Sequence, residues 1–301
     1  MTPPTKTHPH VTLIGFGDVG QSYAAALKAQ GIDPVVFHPA PKPAALAAAG
    51  RLGLSIETDP ARAYAGCDLV LNVAPGSQAL PAALTAAPLL RADALFADLS
   101  SAAPASLRSA ASHFGAQLYV DVAIMGAVSI HGHRTPLLAS GKGSGRLQQL
   151  LAPLGFPVEV LPDSRPGDAT SLKLVRSVLT KGMDAVVVEC LLIAEALGLR
   201  GPLLAHMADL DSSPLSELMA MFVRTHAPHA GRRLHEVETI EETLGGLGVP
   251  LFAMPAARQR FQRSIAMLGA GAAVPSEPEG ASLYDRALPW MLAAERRTPL
   301  E

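Results

Sequence analysis

Residues 11–20, Val-Thr-Leu-Ile-Gly15-Phe16-Gly17-Asp18-Val19-Gly20, decide the fold. A short apolar strand runs straight into the spacing Gly15-x-Gly17-x-x-Gly20, and a helix-compatible stretch from Gln21 to Gly31 follows. Gly15 permits the tight turn, Gly17 lets the backbone approach a pyrophosphate, and Gly20 lets helix and strand pack closely. Phosphates would rest against unpaired amides at the helix N-terminus, where the macrodipole favours negative charge. The bare pattern is a weak signal. Its place at the first strand–helix junction of an alternating chain is what points to dinucleotide binding rather than to a ligand-free turn.

Working outward, Pro34-Val-Val-Phe37 reads as a second strand, followed by helix-like Lys42 to Ala49 and then Leu54-Ser-Ile-Glu57. Cys67 to Pro75 is a strand ending in proline, and Ala94 to Asp98 and Gln117 to Asp121 are strands that each close on an aspartate. Helical segments separate them, Gly145 to Leu154 is another helix, and Pro157 to Leu161 a final strand. Apolar runs of this length alternating with helices indicate a parallel sheet covered on both faces. Beyond Pro162 to Pro166 the strand signals largely stop. Asp168 to Leu199 contains no proline and reads as one long helix of about 48 Å. From Met183 onward its apolar residues cover most of the circumference, so other helices or a second subunit should enclose it. Helical pattern continues to Arg297, broken at Ser213-Pro214, Gly245-Gly246, Gly248 to Pro250 and Pro275 to Gly280. The expected class is α/β: a Rossmann-type, doubly wound, mainly parallel sheet in residues 1–164, then an all-helical domain in 165–301 entered through a long interdomain helix.

Composition agrees with this division. A chain of 301 residues exceeds the usual single-core size. With 49% hydrophobic and 17% charged residues and a net charge of −2, it offers no basic patch for a nucleic-acid partner. Cys67 and Cys190 sit in apolar sequence without metal-ligand spacing, which reads as reduced core thiols of a cytosolic protein and no metal. The first ten residues lack a hydrophobic signal core. Asp184, Glu189 and Glu195 interrupt the most apolar stretch, which argues for a buried helix over a membrane span. The expectation is a soluble, cytoplasmic protein.

Ligands of open α/β sheets bind beyond the carboxyl ends of the strands. Besides the glycine loop, three segments should converge there: Val73-Ala74-Pro75, Asp98-Leu-Ser100-Ser101-Ala-Ala-Pro104, and Asp121-Val-Ala-Ile-Met125-Gly126-Ala127. Ser100 and Ser101 suit a substrate's polar group, and equally suit capping a helix that starts near Pro104. Lys173 lies in the second turn of the long helix. In a water-poor cleft its charged form is disfavoured, which brings its pKa down towards the range useful for proton transfer; a solvated lysine is the plainer alternative.

The order glycine loop, D-x-S-S-x-x-P, D-x-x-x-x-G-A, then G-x-x-x-x-x-K before a long helix resembles the β-hydroxyacid dehydrogenases and their relative 6-phosphogluconate dehydrogenase. It is most similar to a poorly characterised bacterial branch with a C-terminal domain of unknown function. The resemblance implies an NAD(P)-binding Rossmann domain, a helical C-terminal domain, and a homodimer or higher homo-oligomer. It further implies that Gly15, Phe16, Gly17, Asp18, Val19 and Gly20 hold the pyrophosphate and that Val73, Ala74 and Pro75 flank the nicotinamide. By the same match, Ser100, Ser101 and Gly126 touch substrate and Lys173 is the catalytic lysine. His235-Glu236 falls, more loosely, where many relatives have a Lys-Asp pair. Two departures point away from the best-known substrates. The asparagine one helical turn after the lysine is Ser177 here, and a substrate-touching serine has become Met125. In the run His229 to Glu236, Arg232 and Arg233 either bind an anionic substrate group bidentately or form a solvated helix face.

Roughly 20 residues past the glycines, an acidic residue would mark NAD. This chain has Phe37-His38-Pro39-Ala40-Pro41-Lys42 instead, and His38 and Lys42 are both able to donate to a 2′-phosphate. The lean is to NADP, with NAD as the alternative; Pro39 stands where NADP-binding relatives often have arginine. The function expected is hydride transfer between nicotinamide and a small anionic hydroxy acid or its carbonyl counterpart, with Lys173 as general acid/base. An imine reductase-like enzyme and a non-catalytic NADP-binding regulatory protein are the competing readings.

Overall fold

A computed structural model describes residues 8–115, 119–269 and 283–297. Gln117 of the expected strand and the break at Pro275 to Gly280 lie outside these residues. By its contacts the chain forms two compact units, the first ending at Val178 and the second beginning at Leu179.

The first unit alternates strand and helix. Its strands are β1 (Val11–Ile14), β2 (Val35–Phe37), β3 (Ile56–Glu57), β4 (Leu69–Asn72), β5 (Leu95–Asp98), β6 (Tyr119–Ile124), β7 (Leu137–Ser140) and β8 (Val158–Val160). The helices between them are α1 (Asp18–Ala29), α2 (Pro43–Arg51), α3 (Pro60–Ala63), α4 (Ala79–Ala86), α5 (Pro104–Ala111), α6 (Val128–His131) and α7 (Ser144–Leu151). All eight strands form one sheet in the order β3-β2-β1-β4-β5-β6-β7-β8. Neighbours are parallel except β6 and β7, which are antiparallel, so β7 and β8 run against the first six. The winding reverses between β1 and β4, which opens a crevice at their carboxyl ends.

Side chains alternate across the sheet with period 2. Leu13, Leu71, Leu95, Ala97, Val120 and Val122 enter one buried layer, with Tyr23 and Leu27 of α1 and Leu147 and Leu151 of α7. Ile14, Val70, Phe96 and Tyr119 enter the other, against alanines of α4 and α5. This is the doubly wound, mainly parallel sheet expected. Two details differ. The strand β7 gave no clear signal, being a four-residue run between Pro136 and Gly141. Asp121 is the third residue of β6 and not a strand end, because the apolar alternation continues through Val122 to Ile124.

The helix α8 (Asp168–Ala196) is the long helix expected, and the division between the two units falls inside it. The second unit continues with α9 (Arg200–Ala205), α10 (Ala208–Asp211), α11 (Leu215–His226), α12 (Ala230–Leu244), α13 (Ala253–Gly269) and α14 (Leu283–Arg297). It contains no strand among the described residues. Here α12 packs on α13 and α11 on α14. Glu189 of α8 is buried and accepts hydrogen bonds from the amides of Phe252, Ala253 and Met254. Those are orphan donors at the start of α13, where a carboxylate is favoured. The charge that interrupts the apolar run is therefore a helix cap. Much of α8 is not enclosed by this chain, with Val178 and Val187 at 77% and 50% exposure. Cys67 is buried, whereas Cys190 is only partly so and is not a core thiol. No described helix is long and apolar enough to cross a membrane.

Candidate cofactor and active site

The glycine loop is built by backbone contact. Gly15 has φ +92°, and a Cβ there would stand 2.9 Å from the Ala74 nitrogen in the loop after β4. A Cβ at residue 20 would meet the Gly15 carbonyl oxygen at 2.3 Å. Gly17 differs, since nothing of the protein lies within 4 Å of the position its Cβ would take. Gly15 and Gly20 are demanded by the fold, and Gly17 faces open space. No side chain caps the N-terminus of α1, so its first amides face that space.

A cavity of about 990 Å³ runs from this loop along the carboxyl edge of the sheet. It brings together Gly15, Phe16, Gly17, Val19, His38, Lys42, Val73, Ala74, Pro75, Ser100 and Ser101. Asp18 and Gly20 are not among its lining residues, Gly20 serving helix–strand contact. The volume suits a large ligand, and no carboxylate lines it among the described residues. At one end lie His38, Lys42 and Thr58, the last a polar group the sequence reading passed over. His38 Nδ1 accepts from the Ala40 amide at 3.2 Å, which leaves Nε2 as the ring's donor. Nearby carboxylates are occupied: Glu57 accepts from Thr58 and Asp59 amides, and Asp59 caps α3. This lining suits a dinucleotide: the open backbone at Gly17 would admit its pyrophosphate, and His38 and Lys42 would be the donors available at the far end.

The other end is shaped by Asp98. This fully buried carboxyl accepts from the Ser100 amide at 2.9 Å and the Tyr119 hydroxyl at 2.8 Å. Burial pushes its pKa up, and the hydrogen bonds oppose the rise. Tyr119 is pushed up as well, first by burial and then by the neighbouring Asp98. The pair fixes the loop that presents Ser100, a residue 5% exposed whose buried hydroxyl lies by the Asp98 carboxyl without a well-formed hydrogen bond. Helix capping is not the role of either serine, because α5 starts at Ala103 without a side-chain cap. Its first-turn proline already removes one orphan donor. In the same wall Gly76, also unremarked in the sequence, touches the backbone of the loop after β5. A Cβ there would fall 2.7 Å from the Ser101 carbonyl oxygen.

Lys173 is half-buried on α8 and does not line the cavity. Burial lowers its pKa, and the charge of Asp121 pulls the other way. Asp121 itself is fully buried and takes four donors: the Ser140 hydroxyl, the Gly167 amide, and the Thr170 amide and hydroxyl. Ser177 donates its hydroxyl to the Lys173 carbonyl at 2.8 Å, a back-bond within the helix. Met125 packs at the edge of a small cluster of Ala123, Leu138 and Ala169. Its carbonyl accepts from Arg176 at 3.0 Å, so α8 also grips the loop bearing the exposed Gly126. In the second unit, Arg232 pairs with Glu236 on an exposed face of α12, Arg233 donates to Thr225 at 2.7 Å, and His235 is exposed. No group of three or more potential metal ligands occurs among the described residues.

Comparison with known proteins agrees with this geometry. Residues 10–149 match the NAD binding domain of 6-phosphogluconate dehydrogenase. Residues 194–264 match a domain of unknown function (DUF1932). A conserved hypothetical protein from Sinorhizobium meliloti 1021 is 26% identical, over 97% of this chain and 98% of its own, with a TM-score of 0.58. A conserved protein of unknown function, described as structurally similar to 3-hydroxyacid dehydrogenases, is 26% identical over 85% of this chain and 98% of its own (TM-score 0.60). An imine reductase from Myxococcus stipitatus in complex with NAD+ shares the fold at 19% identity, with a TM-score of 0.68 over 87% of this chain and 94% of its own. The chain thus carries a segment, residues 10–149, similar to this NAD binding domain, followed by one, residues 194–264, that matches the DUF1932 domain.

Proposed function

We propose that this protein is an NAD(P)-dependent oxidoreductase acting on a small hydroxy acid or its carbonyl counterpart, with Lys173 as general acid/base. The observations that support the reading are a half-buried lysine with a lowered pKa on α8, one turn past Thr170, and a Rossmann crevice whose Gly17 leaves open space in the same unit. A bound nicotinamide supplies the hydride acceptor for oxidation or the donor for reduction. The Lys173 amine takes the hydroxyl proton as the alcohol is oxidised, and its ammonium returns that proton to the carbonyl oxygen in the reverse direction. Ser100, Ser101 and Gly126 orient the substrate, the two serines lining the cavity. The active form is assigned to a homodimer or higher oligomer.

The absence of a carboxylate from the lining, together with His38 and Lys42, supports NADP over NAD. The lysine also separates this reading from an imine reductase, which shares the architecture without using that residue. A cyclic imine and a panel of hydroxy acids, offered side by side with NADPH or NADP+, distinguish the two. Lys173→Ala is expected to retain cofactor binding and lose turnover by roughly 10²–10⁴-fold. Near-normal turnover in that variant would remove the assigned role, and NADPH binding without turnover on any panel member would favour a regulatory protein.

A further inference from the structure

The reversal of β7 has a chemical result. It sets Ser140, the last residue of β7, opposite Asp121 of β6, while Asp121 is also the register partner of Asp98 at the end of β5. Asp121 thus lies at the level of the sheet edge that bounds the crevice. Its Oδ2 accepts the Gly167 and Thr170 amides, each at 3.0 Å, and its Oδ1 accepts the Thr170 hydroxyl at 2.7 Å. Ser140 donates to the same carboxylate and accepts the Ala169 amide at 3.0 Å. One acidic residue and its serine partner therefore satisfy the opening amides of α8, where a negative charge also meets the helix dipole. Lys173 follows Thr170 by one turn.

We propose that Asp121 is the positioning residue for Lys173: it clamps the first turn of α8 to the sheet and supplies the negative charge that keeps the half-buried amine able to hold a proton. The inference rests on the acid/base reading of Lys173. Other ionisable groups on adjoining elements are Asp98 on β5, Arg108 on α5 with its guanidinium against Gly167, Arg165 before α8, and Asp168 and Arg176 on α8. Asp98 is bound to Tyr119 and the Ser100 amide, Asp168 faces Arg165, and Arg176 is spent on the Met125 carbonyl. Asp121 is fully buried and bonded to Thr170, one turn before Lys173, from where its charge opposes the effect of burial on the amine. Without it, burial alone would leave the amine largely neutral over a wider pH range, available as a base but poor as an acid.

The test needs no substrate. In the full-length protein, the rate at which a small acylating reagent modifies Lys173 is followed against pH by peptide mass spectrometry. The wild-type midpoint is expected below the ordinary lysine value of about 10.4. In Asp121→Asn it should fall further, by about one unit or more, as expected for loss of a nearby opposite charge. A substitution that merely loosened α8 would expose the amine and move the midpoint up, and that result would overturn the proposal. Ser140→Ala and Thr170→Val keep the charge, so their midpoints should not fall; a fall equal to that of Asp121→Asn would assign the effect to packing. Should Asp121→Asn not fold, those two variants and salt decide. A midpoint below about 10.4 that does not move between about 0.05 and 1 M salt supports a pair sheltered from solvent, whereas a midpoint near 10.4 marks a solvated lysine that does not feel Asp121 and overturns the proposal. Retained turnover in Lys173→Ala would sink the acid/base role and leave these labelling results standing.

Discussion

Gly20 and Gly15 touch through backbone alone: a Cβ on residue 20 would stand 2.3 Å from the Gly15 carbonyl oxygen. That contact sets how closely α1 approaches β1, and therefore where its amide-lined end meets the crevice. Gly17, two residues along, has open space in the same direction. The motif thus divides into glycines whose close backbone contacts the chain itself requires and one that faces open space.

Substitution should separate the two. Gly20→Ala is expected to lower stability by about 1–3 kcal/mol, because a backbone atom must move. Gly17→Ala should unfold at the wild-type denaturant midpoint yet bind NADPH at least tenfold more weakly. Chemical denaturation and calorimetric titration read both. A destabilised Gly17→Ala with normal cofactor affinity would contradict this division.

Cofactor preference turns on His38 and Lys42. Replacing both with alanine should weaken NADPH binding by roughly 10- to 100-fold, since each donor to a phosphate contributes on the order of 1 kcal/mol or more. NADH, lacking the 2′-phosphate, should be affected far less. Equal losses for the two cofactors would show that these side chains serve the shared part of the molecule.

Tyr119→Phe removes a donor from the buried carboxyl of Asp98. A hydrogen bond to an ionised group contributes about 2 kcal/mol, so that loss is expected near neutral pH. The sign with pH follows from the raised pKa of Asp98. A carboxyl whose folded pKa exceeds its unfolded one contributes fully below the unfolded value of about 3.9, and that contribution is lost as pH rises through the folded pKa. Removing the donor raises the folded pKa further. The deficit of Tyr119→Phe should therefore be smaller near pH 4 than at pH 7, as urea unfolding at the two pH values would reveal.

Val175 and Val178 of α8 are 68% and 77% exposed. Apolar surface of this kind on a helix favours association with another copy. Light scattering should give at least twice the chain mass, and Val175→Asp with Val178→Asp should shift it to the monomer. A wild-type protein that stays monomeric at micromolar concentration would remove the oligomer from the proposed function.

The Rossmann half was legible because its signals are local. Gly15, Gly17 and Gly20 obey spacing rules, and the strand from Val11 to Ile14 announces itself by hydropathy. Ser100 and Lys173 were found through motif order. Asp121 and Asp98 were visible only as aspartates at strand ends, since their partners Thr170 and Tyr119 are 49 and 21 residues away. The same holds for Glu189, which caps a helix 64 residues on. Pairings of that span follow from sheet order and helix placement, and local patterns do not carry them. β7, Leu-Leu-Ala-Ser, is as short as β1 but lacks its β-branched residues, so nothing local marked it as a strand.

The contact between Gly76 and Ser101 joins the turns after β4 and β5 into a single stiff lip. Neither can be displaced alone, so the width of the cleft under that lip is fixed by the backbone. Redesign for a bulkier ligand would have to trim side chains such as Gln78, Pro81 or Thr85, which line the same cavity and are not part of that seam.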